Sequence, residues 1–116
     1  MNQIILKGVR SGAKAELKYL TNKTPVLELS VADSRKVKDE YVTQWLKVFV
    51  FGERAERLAP RIDKGTELVV IGELIKRSYK DKSGNARETV EVNATTGRIF
   101  VCEKIKNEQT DPDIDF

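Results

Sequence analysis

Apolar and polar side chains alternate at every second position over most of this chain. A period of two belongs to β-strands that bury one face; a helix needs a period near 3.6. The clearest case is QWLKVFVF at residues 44–51, closed by Gly52. The same pattern predicts strands over residues 3–10, with Gly8 as a bend or bulge, and over 15–20, which continue the first strand after SGAK. TNKTP at 21–25 reads as a turn, VLELSVAD at 26–33 as a strand, and SRKVKDEY at 34–41 as a polar, basic connection. Residues 64–79 read as a long strand bent at Gly72, KDKSGN at 80–85 as a hairpin loop with Gly84 able to take positive φ, and ARETVEVNAT and GRIFVCEKI as the last two strands.

One segment departs from the rule. In residues 53–63, Ala55, Leu58, Ala59 and Ile62 fall on one helical face, while Pro60 disfavours helix at Ala59, so the helix is expected to be short or kinked. About five strands bent at glycines, with one short helix between the third and fourth, predict an all-β chain folded as a five-stranded OB-fold barrel. A barrel removes the open sheet edges that a small all-β domain must otherwise protect; a small open sandwich is the competing architecture. The expected organisation is one barrel domain over residues 1–105 and a flexible acidic tail over 106–116.

Composition narrows the chemistry. The 116 residues contain no histidine and one cysteine, which excludes the commonest general base, the usual zinc site and an intrachain disulfide. No Gly-rich phosphate loop is present, so the chain reads as a binding protein without a cofactor; magnesium held by carboxylates is the one enzymatic option left open. Cys102 reads as a small buried hydrophobe. The longest aliphatic run, Leu68 to Ile71, is far too short for a membrane span, and the N-terminus has no signal-peptide pattern. Cytoplasmic location is the expectation. Charge is unevenly placed: the first 106 residues hold all 21 basic side chains against 14 of the 18 acids, a net +7. A basic body with an acidic end is the footprint of a polyanion binder carrying a separate interaction segment.

The strand at 44–51 carries the most chemistry. Leu46, Val48 and Val50 share one face and suit a core, which sends Trp45, Lys47, Phe49 and Phe51 to the other. Burying that second face would bury Lys47 among aromatics at large cost. An outward aromatic–lysine stripe serves either to pack subunits or to stack unpaired bases, with cations nearby for phosphates. Two further segments repeat the combination: Lys76, Arg77, Lys80 and Lys82 surround Tyr79, and Arg35, Lys36 and Lys38 lie near Tyr41.

In order along the chain, NQIILKGVRSGAKAELKYLTN, SVADSRK and TQWLKVFVFGERAERLAPRIDKGTELVVIGELIKRSYKDKSGNARETVEV resemble the bacterial and phage single-stranded DNA-binding proteins over nearly the whole length. The resemblance implies an OB-fold that forms homotetramers, sometimes dimers, and wraps single-stranded DNA. It implies stacking by Trp45 and Phe51, and by Tyr79 where the family often has tryptophan, and it matches Lys64 and Arg77 to family basic positions. Val37 stands where many members have tryptophan, in a shorter hairpin, and Tyr41 is expected to substitute in part. WL replaces the common WH pair at Trp45, Leu46, and Glu53 stands where lysine is frequent, with Arg54 beside it. The long flexible linker is nearly absent, a compact form suggestive of a phage or mobile-element protein acting in a host cytoplasm.

The expected single-strand site is therefore Trp45, Phe51, Tyr79, Phe49 and Tyr41 for stacking and Lys47, Arg77, Lys64, Arg35, Lys36 and Lys76 for phosphates. The ending DIDF resembles the family's partner-recruiting tip. Asp111, Asp113, Ile114, Asp115 and Phe116 are expected to engage replication and repair proteins, or to brake the chain's own basic surface. The expected function is non-catalytic, sequence-tolerant protection of single-stranded DNA in replication, recombination and repair. Alternatives are an OB-fold primosomal or replisome scaffold, an RNA-binding module and, remotely, a metal-dependent nuclease.

Overall fold

The structure, a computed structural model, describes residues 2–102. Its strands are β1 (Ile4–Ser11), β2 (Glu16–Tyr19), β3 (Pro25–Val37), β4 (Glu40–Phe51), β5 (Glu67–Lys80) and β6 (Ala86–Cys102), with helix α1 (Glu53–Leu58) and a 3₁₀ turn (Ala59–Arg61) between β4 and β5. The sheet runs β1-β5-β6-β4-β3-β2, and β1 also pairs with β3. β1 and β2 lie along the same edge of β3, Ser11 opposite Val31 and Glu16 opposite Glu28, so they act as one interrupted strand. The ring closes with five members: an OB-fold barrel with one short helix, as the alternation and the placement of the helix predict. β4 and β6 are parallel where Lys47, Val48 and Phe49 face Glu91, Val92 and Asn93; the other pairings are antiparallel.

The core follows from the alternation. Leu27, Leu29 and Val31 of β3, Val48 and Val50 of β4, Leu68 and Val70 of β5, and Val92 and Ala94 of β6 point inward and are buried. Ala55, Leu58, Ala59 and Ile62 close one end of the barrel from the helix and the turn that follows it, so the expected apolar face survives although the helix stops before Ala59. The pairing register slips around Gly8, whose φ is 74°, and again around Gly72, the two predicted bends.

Three local expectations are corrected. Residues 34–41, expected as a polar, basic connection, are mostly strand: β3 runs to Val37, β4 starts at Glu40, and a two-residue turn of Lys38 and Asp39, both at positive φ, joins them as a hairpin. Cross-strand bonds hold this polar arm together without a core, Ser34 Oγ with Thr43 Oγ1 at 2.7 Å and Gln44 Nε2 donating to Asp33 Oδ2 at 3.0 Å. The last two strands are one, β6, because side chains satisfy the backbone where the pairing is interrupted. Arg54 donates to the carbonyl oxygens of Thr95 and Gly97, Asn93 Oδ1 accepts from Thr95 N, and Thr95 Oγ1 accepts from Phe51 N. A Cβ on Gly97 would stand 1.8 Å from the Ile71 carbonyl oxygen, and one on Gly72 2.6 Å from that of Asn93, so β5 and β6 close the barrel by backbone-to-backbone approach. Cys102 is half-buried rather than buried.

Candidate nucleic-acid interface

Two exposed arms rise from the barrel. One is the far half of the β3–β4 hairpin, with Tyr41 opposite Lys36; the other is the far half of β5–β6, with Tyr79 opposite Arg87. Between them the outer face of β4 presents the stripe read from the sequence. Trp45 is 61% exposed, Lys47 is exposed and Phe51 is half-buried. The Trp45 indole rests on Gly12, where a Cβ would come within 2.6 Å of Cζ3, and the residue opposite it on β3 is the small Ala32. A bare backbone thus lets the ring lie along the surface with room for a base beside it.

Lys47 is the hub of this face. It lines three adjoining hollows of about 160, 370 and 270 Å³, the first with Lys14 and Glu28, the second with Trp45 and Val90, the third with Lys18, Phe49, Phe51 and Arg77. It makes no ion pair among the described residues. A free ammonium at the junction of concave, partly aromatic surfaces suits a phosphate contact between stacked bases.

Phe49 is on the outer face but only 5% exposed. Its ring meets Phe51 edge-on at 5.4 Å, and the Arg77 guanidinium lies over it at 5.2 Å from the centroid. Arg77 Nε is in turn bound to Glu91 Oε1 at 3.2 Å. The outer stripe is therefore not uniformly open: its middle ring is roofed by a cation arriving from β5. Leu46, expected in the core, is half-buried and packs against it from the barrel's edge.

The remaining predicted cations are distributed. Arg35 and Lys36 are exposed on the first arm with no ion pair among the described residues, whereas Lys76 on the second is held by Glu88 at 2.8 Å. Lys64 lies in the turn before β5 and lines a separate hollow with Arg61, Thr66 and Glu67, apart from those that Lys47 joins. Asp111, Asp113, Ile114, Asp115 and Phe116, and the expected boundary at 105/106, lie outside the described residues.

Sequence reading missed Lys18, Glu28 and Glu91, which edge the third hollow. Lys18 and Glu28 pair at 3.6 Å across β2 and β3, and Glu91 comes to the stripe only through the parallel β4–β6 pairing, which no local pattern announces. It also missed a groove of about 630 Å³ between α1 and β6, lined by Arg54, Arg57, Arg61 and Arg98 with Phe100. The spacing of Arg54, Arg57 and Arg61 along one helical face was the available signal.

Comparison with known proteins agrees with this architecture. The Plasmodium falciparum SSB, solved as a complex with ssDNA, superposes with a TM-score of 0.78 at 21% identity, covering 89% of this chain and 96% of that one; at that identity the likeness is one of fold. The single-stranded DNA-binding protein 1 of Xylella fastidiosa (strain 9a5c) is 38% identical in an alignment 89 residues long that covers 72% of this chain and 65% of that protein's length. The sequence profile of the single-strand binding protein family matches residues 1–100. With the barrel, the helix position and the profile all in agreement over the described length, the chain belongs to the single-strand binding protein family.

Proposed function

We propose that this protein binds single-stranded DNA without regard to sequence, keeping exposed strands apart during replication, recombination and repair. The observation that carries the reading is the outer stripe of β4, with exposed Trp45 resting on Gly12 and unpaired Lys47 at the meeting point of three hollows. Stacking on such rings contributes about 1–3 kcal/mol per base and is indifferent to base identity, because every base has a flat face. Tyr41 and Tyr79 extend the stacking surface along the arms, and Arg35, Lys36, Lys76 and Arg77 supply the flanking cations, with Lys64 as a more remote contact. The acidic segment from Asp111 to Phe116 recruits partner proteins or shields the basic body.

The chain is further proposed to act as a homo-oligomer, a tetramer or a dimer. Among the described residues, β1 pairs from Ile4 to Val9 with β5 alone, which leaves one side of the strand for a second copy, and Ile5 and Phe100 are apolar and exposed nearby.

The experiment is titration with oligo-dT while following tryptophan fluorescence. Trp45 is the single tryptophan, so its emission is quenched on binding. The affinity falls between about 50 and about 200 mM salt with a log–log slope near 0.7 per phosphate neutralised. No quenching together with a flat salt dependence would remove single-strand binding and leave the scaffold reading.

A further inference from the structure

The roof over Phe49 raises a question of sign. The proposed DNA face carries a carboxylate, Glu91, whose side chain is only 13% exposed and sits beside Arg77. An acid on a polyanion-binding surface opposes binding unless it does something else. Its contacts say what that is. Glu91 Oε1 lies 3.2 Å from Arg77 Nε, an ion pair, while Glu91 Oε2 accepts from Thr89 Oγ1 at 3.3 Å. The same guanidinium lies over the Phe49 ring, which Phe51 braces from the side. Three constraints thus hold one cation: a carboxylate at its Nε edge, an aromatic face beneath it and the β5 backbone behind it. The Arg77 side chain remains 54% exposed, so the guanidinium can still meet another anion from solvent. An arginine fixed in this way loses little freedom when it takes up a phosphate bidentately, which is where a mobile side chain loses most.

We infer that Glu91 is a positioning residue for single-strand binding. It holds the Arg77 guanidinium on the Phe49 ring so that the terminal nitrogens meet a backbone phosphate, and Phe49 acts as the platform for that cation rather than as a base-stacking ring. The inference rests on the proposed single-strand binding and adds to it a specific prediction: an acid on the DNA face strengthens binding.

Two variants that delete the same charge separate positioning from repulsion. Glu91→Gln keeps a polar oxygen beside Nε; Glu91→Val removes it and suits a strand. Glu88→Gln, on the same strand and paired with Lys76, is the charge-matched control. Oligo-dT affinities are measured across the salt range for each, alone and with Arg77→Gln. The expected result is that Glu91→Val weakens binding roughly fivefold at about 50 mM salt and lowers the salt slope by about 0.7, the loss of one phosphate contact. Glu91→Gln stays within about twofold of the parent, because a neutral acceptor still orients the fork, and Glu88→Gln binds as well as the parent or better. With Arg77→Gln present, Glu91→Val has no further effect. The inference is overturned if Glu91→Val and Glu91→Gln both tighten binding as Glu88→Gln does, or if the Glu91→Val loss persists in full without Arg77.

A readout independent of DNA keeps the two claims apart. The Arg77 Nε–H resonance is protected from exchange in the parent and in Glu91→Gln and exposed in Glu91→Val. Equal exchange in all three overturns the positioning contact. Protected exchange with no oligo-dT binding by the parent overturns the function and leaves the contact standing.

Discussion

At the residue scale, the stripe on β4 shows how far alternation carries and where it stops. It separates Val48 and Val50 from Trp45, Lys47 and Phe51, as the structure has it, since a pleated strand cannot do otherwise. It cannot say that Phe49 is covered, because the cover is Arg77, 28 positions along the chain and two strands away. Trp45 depends on a partner that looks unremarkable in sequence. Gly12→Ala places a methyl group 2.6 Å from the present Cζ3 position, so the indole must shift. We expect this substitution to change the tryptophan emission of the free protein and to weaken oligo-dT binding by up to the worth of one stacked base, about 1–3 kcal/mol. Unchanged emission and affinity would show that the ring does not need that floor.

At the element scale, the arms are strands without a core, held by turn chemistry and side-chain pairs. The β5–β6 loop shows this most fully. Asp81 Oδ1 accepts from the backbone N–H groups of Ser83 and Asn85, each at 2.9 Å, and Oδ2 from Arg87 Nε at 3.0 Å. These contacts, the backbone bond from Asn85 first and Arg87 next, hold its carboxyl below the ordinary aspartate range. A lowered folded-state value means that the ordering of the loop is complete above the unfolded-state pKa, about 3.9, and is lost as pH falls through the lower folded value. The Ser83 and Asn85 amide shifts, followed by NMR, should therefore titrate with a midpoint below about 3.9. A midpoint at or above it would mean that the Asp81 contacts do not order the loop. Tyr19 is displaced the other way: its hydroxyl donates to Glu56 Oε2 at 3.1 Å, and that bond raises its pKa and links β2 to α1. The sequence marked the β5–β6 loop correctly through Gly84, yet its local pattern read residues 34–41 as a polar, basic connection rather than as strand. A two-residue turn with no glycine, Lys38 and Asp39, carries no strong hairpin signal.

At the scale of the whole molecule, closure is decided where β5 and β6 cross. Gly97 brings its backbone against the carbonyl of Ile71, and Arg54 secures the same turn of β6 through the Thr95 and Gly97 carbonyls. A methyl group on Gly97 meets backbone, which cannot swing aside as a side chain can. Gly97→Ala should therefore cost about 4 kcal/mol or more, beyond the common range for point substitutions, in urea unfolding followed by Trp45 fluorescence. A loss below about 1 kcal/mol would place the closing contact elsewhere. The sequence by itself determined the strand alternation, the single short helix, the barrel they build and the outward stripe of Trp45, Lys47 and Phe51. Each of these is set within a few residues by side-chain period and backbone chemistry. Only the tertiary structure decided which of those groups meet. The parallel β4–β6 pairing sets Glu91 beside Lys47, and the β5–β6 register lays Arg77 over Phe49. The physical reason is that pairing partners are chosen by closing the ring around one core, a long-range condition that no local stretch of sequence states.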